Sequence, residues 1–320
     1  MKILLPRHLE EGWRNDLSFA ALDLEPVSYR EEDGAPDADP SGAEIVLRSW
    51  VWGNQIRRLV EEIPSVRWLH SLATGVDDLI VLPRIASGDV KLSCARGVHA
   101  IPIAEVVVQL LLDSVKKARE HFEAQRNGIW ESLRLGELTG QTVLFFGFGG
   151  IGREAAKRLA PFGTHIVAVR RGGTGTPEGD AAAVYPTARF EEFLKDADFV
   201  VVVAPLTPET RGYFNRRRLG LMKPTAKIVN VSRGEIIPSE ELLSALAAGR
   251  PGGAVLDVSA EEPLPLNHPY WSHPLIVITP HDSWSSPRTK ARNRDFFLEN
   301  LRRWRLGVPL HGQVNPGESY

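Results

Sequence analysis

The sequence predicts an α/β protein of two domains, each a parallel sheet covered by helices. Three observations predict it. Short β-branched runs alternate with amphipathic helical patterns through the first third of the chain. A second, longer alternation begins at Gln141. A G-x-G-x-x-G turn, Gly147, Gly149 and Gly152, joins the first strand of that second series to a helix. At 320 residues, two domains are also the better expectation on size.

In chain order, "KILLP" (2–6), "AEIVLRS" (43–49), "VRWLHSLA" (66–73) and "VKLSCA" (90–95) read as buried strands. Between the second and third, Ile56, Leu59, Val60 and Ile63 form one helical face, stopped by Pro64. Residues 102–128 read as one long helix, with Pro102 in its first turn and Gly128 at its end. Its first half is nearly all apolar, which fits burial between domains or at a subunit contact. The second series has strands at 142–147, 165–170, 198–205, 226–232, 253–258 and 275–280. Helical patterns at 152–162, 189–196, 215–222 and 239–249 separate most of them. The segment "GGTGTPEGD" (172–180) reads as a flexible loop. Beyond Trp284 a last helix, "RTKARNRDFFLENLRRWRLG", is placed to pack back on the first domain, though sequence order leaves that open.

Composition narrows the class. Hydrophobic residues at 43% and charged residues at 24% are ordinary for a globular protein. A net charge of −2 gives no reason to expect nucleic acid or an anionic membrane as partner. Cys94 is the only cysteine, which excludes an internal disulfide and fits a reducing cytoplasm. The start, "MKILLPRHLE", lacks a signal-peptide core, and the apolar run Phe199–Leu206 is strand-sized. The histidines show no metal-binding spacing.

The glycine turn has the strand-before, helix-after context of a dinucleotide site. Gly147 permits the tight turn, Gly149 lets backbone approach a pyrophosphate, and Gly152 lets the helix pack on the strand. Gly150 and Ile151 open that helix, whose free N–H groups suit an anion. In an open parallel sheet ligands bind beyond the carboxyl ends of the strands. Arg233 follows one such strand, Asp257 ends another with Glu261 and Glu262 behind it, and His281 follows a third. Each alone reads as a surface charge, a solvated loop or a turn residue. Together, behind a dinucleotide turn, they point to chemistry. His70 reads as a core residue, His268 and His273 as surface, and His99 sits in a suggestive loop.

The strand "HIVAVR" ends in Arg170 and Arg171, where an acid is common, and no acid follows until Glu178. An acid at that position accepts from the ribose hydroxyls and selects NAD, whereas arginine pairs with a 2′-phosphate. The expected cofactor is NADP(H) in preference to NAD(H). The competing reading is that both arginines face solvent.

The segments "LFFGFGGIGRE", "APLTPETRGYFN", "NVSRGEII", "LDVSAEEPLP" and "TPHDSW" resemble, in order and spacing, the D-isomer-specific 2-hydroxyacid dehydrogenase family. "LATGVDDL" and "GVHAIPIAE" resemble its remaining signatures, and the likeness covers nearly the whole chain. It implies two Rossmann-like domains flanking a cleft: a flavodoxin-like substrate domain, 1–96 plus 285–320, and a doubly wound dinucleotide-binding domain, 97–284. It implies a homodimer through the 102–128 helix region. The activity implied is hydride transfer between NAD(P)H and a 2-oxo acid to give a D-2-hydroxy acid, as in glyoxylate/hydroxypyruvate reductases. By that resemblance His281 exchanges the proton, Glu262 partners it, and Arg233 binds the substrate carboxylate. Backbone N–H groups of Thr74, Gly75 and Val76 also hold that carboxylate. Pro205 and Ser232 border the cofactor, and Asp257 meets the nicotinamide carboxamide. Ser259 and Asp282 depart from the common pattern, which leaves the substrate open. Trp50, Trp52 and Trp284 either line a pocket or serve packing. Rival readings on the same scaffold are a dinucleotide-sensing corepressor and a phosphoglycerate, formate or phosphite dehydrogenase.

Overall fold

The structure is a computed structural model that describes residues 1–9, 23–49 and 55–315. Trp50 and Trp52 lie outside the described residues. Two compact units divide the chain: Met1–His99 with Ser286–Tyr320, and Ala100–Ser285.

The first unit carries strands β1 (Lys2–Pro6), β2 (Glu25–Tyr29), β3 (Ala43–Arg48), β4 (Trp68–Ser71) and β5 (Lys91–Cys94). Their order is β5-β4-β3-β1-β2, all parallel, and the short segment Gln313–Val314 adds antiparallel to β5. This is the flavodoxin-like order. Both faces are buried, so alternate residues enter different cores. Leu4, Val46 and Leu69 pack on one face with Ile56, Leu59 and Val60 of the helix Gln55–Glu61. Ile3, Leu5, Ile45, Leu47 and Trp68 pack on the other with Phe297 and Leu301 of the helix Pro287–Arg305. Trp304 of that helix stacks on Trp68 at 5.4 Å between centroids. Returning the chain to cover this face is what makes the unit discontinuous.

β2 has no counterpart in the strand pattern read from sequence. Pro26 lies inside it, and proline removes a ladder donor. It is tolerated because β2 is the sheet edge. His70 on β4 is fully buried, bonded through Nδ1 to Ser93 Oγ at 2.7 Å and stacked on Phe297. Burial pushes its pKa down to about 3, so it is a neutral core residue.

The second unit carries β6 (Thr142–Phe146), β7 (His165–Arg170), β8 (Thr176–Glu178), β9 (Ala181–Pro186), β10 (Phe199–Val202), β11 (Lys227–Asn230), β12 (Gly253–Leu256) and β13 (Ile276–Ile278). Their order is β13-β12-β11-β10-β6-β7-β9-β8, parallel except for β8 at the edge. The order reverses between β6 and β10, which is the topological switch point of a doubly wound sheet. Val143, Phe145 and Val201 face the helices Ala100–Lys116 and Gly150–Leu159. Leu144, Phe146, Val200 and Val202 face the opposite core, which includes Phe190, Leu194, Leu242 and Leu246. The remaining helices are shorter than their sequence patterns: Phe190–Leu194, Arg216–Leu219 and Ser239–Ala247. No helix among the described residues is long and apolar enough to cross a membrane.

Two expectations need correction. The expected single helix 102–128 is two, Ala100–Lys116 and Ala118–Arg126, broken at Lys117 in the left-handed region (φ 51°). The first buries Val107, Leu110 and Leu111, whereas the second buries nothing. Arg119 at the start of the second donates to the carbonyls of Pro274 and Ile276, at 3.3 and 3.0 Å. These bonds fix a new direction where no glycine or proline announces a break. The segment 172–180 is not a flexible loop but an edge hairpin, with β8 antiparallel to β9. Its glycines serve close approach: a Cβ on Gly173 would lie 2.1 Å from the Tyr185 carbonyl oxygen, and Gly175 N donates to Val184 O at 2.7 Å.

Candidate active site

Gly147 follows β6 with φ 94°, and a Cβ there would lie 2.6 Å from Ala204 N. Only glycine combines that conformation with that approach. Gly149 precedes the helix Gly150–Leu159 and faces open space, with nothing within 4 Å of a built Cβ. Gly152 packs against Phe148, its built Cβ 3.0 Å from the ring. Among the described residues no side chain caps this helix, and the N–H groups of Gly150, Ile151 and Gly152 lie in its first turn, where no intrahelical partner exists. The turn, the open space and the uncapped helix fit a dinucleotide pyrophosphate.

Neighbouring strand ends are tied to the same edge. Ser232 Oγ, after β11, donates to Ala204 O after β10. Pro205 O accepts from Thr210 Oγ1 at 2.7 Å, closing the turn that follows. Ser232 and Pro205 thus stand beside the glycine turn.

Arg233 leaves β11 in extended conformation (φ −141°, ψ 137°). Gly234 after it is forced to be glycine: a Cβ would lie 1.9 Å from the Ser259 carbonyl carbon. This close approach brings Arg233 to the loop that carries Glu262. Glu262 Oε1 accepts from Ser259 N at 3.0 Å, and Oε2 accepts from His281 Nδ1 at 2.7 Å. Partial burial pushes the Glu262 carboxyl up. The hydrogen bonds from His281 and Ser259 N, with the charges of His281 and Arg233, outweigh this and hold it below its ordinary range. Arg233, Glu262 and His281 therefore form one electrostatic cluster built from three loops.

His281 has φ 54°, the left-handed region that a non-glycine residue occupies at a cost. Its surroundings hold it there. Trp284 Nε1 donates to His281 O at 2.8 Å, and the indole packs on the second unit's core. Trp284 is thus a packing and anchoring residue. Asp257 is buried, and its carboxylate accepts from Thr279 Oγ1 at 2.6 Å and from the backbone N–H groups of Asp282 and Ser283, both at 3.2 Å. Asp257, which the resemblance assigns to the nicotinamide, has a task the sequence did not disclose: it fastens the His281 turn to the end of β12.

Arg170 ends β7 and is paired with Glu178 at 2.7 Å, so its charge does not simply face solvent. Its Nε is buried with no partner among the described residues. Arg171 lies within electrostatic reach of Glu209. Hydrogen bonds from the Thr207 side chain and Glu209's own N–H, together with Arg171, hold that carboxyl low.

Thr74, Gly75 and Val76 belong to the first unit. Thr74 Oγ1 bonds His99 Nδ1 at 3.0 Å and Ala95 O at 3.2 Å. His99 is buried, and its burial and Arg292's charge push its pKa down to about 4. Arg48, 2% exposed, donates to both carboxylate oxygens of Asp78, at 3.2 and 2.7 Å, and so pins the far end of the turn. His268 and His273, partly exposed, each accept a backbone N–H two residues on. Among the described residues no group of His, Cys, Asp or Glu is placed to hold a metal ion.

Comparison with known proteins gives this arrangement its family. Residues 108–283 match the family model for the D-isomer specific 2-hydroxyacid dehydrogenase NAD binding domain. The chain is 32% identical over 255 residues to the glyoxylate reductase/hydroxypyruvate reductase of Homo sapiens, covering 78% of this chain and 77% of that one. It is 30% identical over 268 residues to the glyoxylate reductase of Pyrococcus furiosus, covering 78% and 76%. A D-isomer specific 2-hydroxyacid dehydrogenase from Xanthobacter autotrophicus Py2, solved with NADPH and MES, superposes with a TM-score of 0.85 at 27% identity, over 100% and 99% of the two chains. An NADPH-dependent glyoxylate/hydroxypyruvate reductase from Sinorhizobium meliloti, solved with NADP and sulfate, gives 0.84 at 26%, over 100% and 99%. The chain belongs to the D-isomer specific 2-hydroxyacid dehydrogenase family and is an NAD(P)-dependent oxidoreductase that interconverts 2-oxo and D-2-hydroxy acids.

Proposed function

We propose that the chain reduces a small 2-oxo acid of the glyoxylate and hydroxypyruvate class to its D-2-hydroxy acid, with NADPH as the preferred donor. The observation that carries the reading is the 2.7 Å His281–Glu262 pair, within reach of Arg233's charge, on the edge that also holds the glycine turn. Relatives named glyoxylate and hydroxypyruvate reductases support the substrate class.

When bound, the dinucleotide supplies the hydride. The chain's own residues do the rest. Glu262 holds Nδ1 of His281, so proton exchange falls to Nε2, which protonates the forming alkoxide oxygen. Arg233 presents a planar fork to the substrate carboxylate and adjacent carbonyl. Asp257 and Trp284 keep the His281 turn in its costly conformation. Gly147, Gly149, Gly150, Ile151 and Gly152 receive the pyrophosphate, with Pro205 and Ser232 alongside. In the first unit, we assign the turn Thr74-Gly75-Val76 to carboxylate binding through its backbone N–H groups, with Arg48 and His99 as its supports.

The cofactor preference rests on Arg170 and Arg171 at the end of β7, where the ribose is met. Structures of relatives with NADPH and NADP support it. With glyoxylate or hydroxypyruvate at fixed salt, kcat/KM for NADPH should exceed that for NADH at least tenfold, since charge-assisted contacts contribute about 1.5–3 kcal/mol each. Arg170→Asp should shift the preference towards NADH. Equal values, or a preference for NADH in the unaltered enzyme, refute the cofactor assignment.

We also infer a homodimer through the helical region that begins at residue 102. The helix Ala118–Arg126 buries no residue, and Phe122 (66% exposed) and fully exposed Trp130 leave an apolar surface there. Sedimentation at micromolar concentration should give twice the chain mass. A single-chain mass refutes the dimer.

A further inference from the structure

We propose that Glu178 is a resident counter-anion that marks, and competes for, the position of the cofactor's 2′-phosphate. The proposal deepens the NADPH reading above and rests on it.

Three charged side chains meet at the edge of the second unit's sheet. Arg153 lies in the first turn of the helix that receives the pyrophosphate. Arg170 ends the strand that meets the ribose. Glu178 reaches both from β8. Arg153 Nε donates to Glu178 Oε1 at 2.8 Å, with Nη2 on the same oxygen, and Arg170 Nη2 approaches Oε2 at 2.7 Å. One carboxylate bridges two guanidinium groups.

The hairpin places Glu178 within that reach. Gly173 and Gly175 let the chain fold tightly against β9, and the register pairs Thr176 with Val184 and Glu178 with Ala181. Glu178 thus returns to the arginine that lies eight positions earlier. Two arginines held this close repel each other unless an anion lies between them. The point between them is therefore an anion site, and its place is fixed by the glycine turn on one side and the ribose strand on the other. An adenosine 2′-phosphate delivered by that turn meets the same two forks, and phosphate suits them as well as carboxylate does.

The consequence is competition. Glu178 is 26% exposed on an edge hairpin, so its side chain can swing out when phosphate arrives. While it stays, it lowers the net positive charge that the phosphate meets. Glu178 therefore weakens NADPH binding and sets how strongly the enzyme discriminates between the two cofactors. It also keeps Arg153 and Arg170 aligned when no cofactor is present.

The test titrates the full-length enzyme with adenosine 2′,5′-bisphosphate, adenosine 5′-monophosphate, NADPH and NADH at fixed low salt, for the unaltered protein, Glu178→Gln, Glu178→Asp and Arg153→Gln. Glu178→Gln should bind the bisphosphate and NADPH roughly three- to fivefold more tightly, the size of a partly exposed charge contact. Its affinity for the monophosphate and NADH should not change. Arg153→Gln should weaken the bisphosphate and NADPH selectively. Glu178→Asp retains the charge and serves as the folding control, with affinities close to those of the unaltered enzyme. Weaker NADH binding by Glu178→Gln, with NADPH unchanged, overturns the proposal, because Glu178 then serves the ribose hydroxyls. Unchanged bisphosphate affinity in both Glu178→Gln and Arg153→Gln, in an enzyme that still prefers NADPH, overturns it while leaving the cofactor reading intact. An unaltered enzyme that binds NADH better than NADPH removes the reading on which it rests.

Discussion

Replacing His281 with asparagine should lower kcat for 2-oxo acid reduction by about two to four decades, the usual contribution of a positioned general acid. Asparagine is the informative variant because His281 sits at φ 54°, a region asparagine tolerates and alanine does not. A loss of activity in His281→Asn then reports the missing proton and not a collapsed turn. NADPH affinity should be nearly unchanged, since the glycine turn and the arginines lie on other loops. Glu262 supplies a second readout. Its carboxyl is held below its ordinary range, so it stays ionised through neutral pH and keeps its hydrogen bond with His281 Nδ1. Glu262→Gln keeps the shape but loses the charge that fixes the ring, so kcat should fall for reduction and oxidation alike, with NADPH affinity unchanged. His281→Asn reducing glyoxylate at near the unaltered rate refutes the assignment of the acid.

How far the sequence disclosed this arrangement depends on the range of the interactions. The glycine turn was legible because its physics is local: Gly147, Gly149 and Gly152 act within six residues, between a strand and a helix that both show their own patterns. The strands of both sheets were legible where bulky apolar runs fill both faces, as in Leu144-Phe145-Phe146, whereas β2, β8 and the alanine-rich β9 were not. β2 carries Pro26, and β8 is three residues long and rich in small neighbours, so neither shows a strand pattern. The break at Lys117 was hidden for another reason. It depends on Arg119 donating to the carbonyls of Pro274 and Ile276, which lie 155 and 157 residues from that arginine. The Glu262–His281 contact, 19 residues apart, was anticipated from the resemblance and is a 2.7 Å hydrogen bond in the structure. The anchoring work of Asp257, and of Trp284 on the His281 carbonyl, had no sequence signal, because a carboxylate or an indole looks the same whether it meets a ligand or a backbone. Glu178 is the sharpest case. In sequence it was merely the first acid after Arg171, and only the hairpin turns it back on Arg170 and Arg153.

The second large effect is expected at Arg233. Removing it, as Arg233→Ala, should lower kcat/KM for 2-oxo acids by about two to three decades, because charged hydrogen bonds contribute roughly 1.5–3 kcal/mol each and a fork makes two. The loss should divide between KM and kcat. The substrate carboxylate loses its counter-ion in the ground state, and the carbonyl loses orientation towards the proton donor in the transition state. Arg233→Lys separates charge from shape. Lysine restores a cation but not a planar pair of donors, so it should recover KM better than kcat and remain at least tenfold impaired in kcat/KM, about one charged contact. Gly234, not Arg233, makes the close approach to Ser259, and the guanidinium donates to the adjacent Ser232 carbonyl at 2.8 Å. Both variants should therefore keep the thermal midpoint of the unaltered enzyme and its NADPH affinity. If Arg233→Lys turns over glyoxylate and hydroxypyruvate with unchanged kcat/KM, the carboxylate is held elsewhere and the assignment of Arg233 fails.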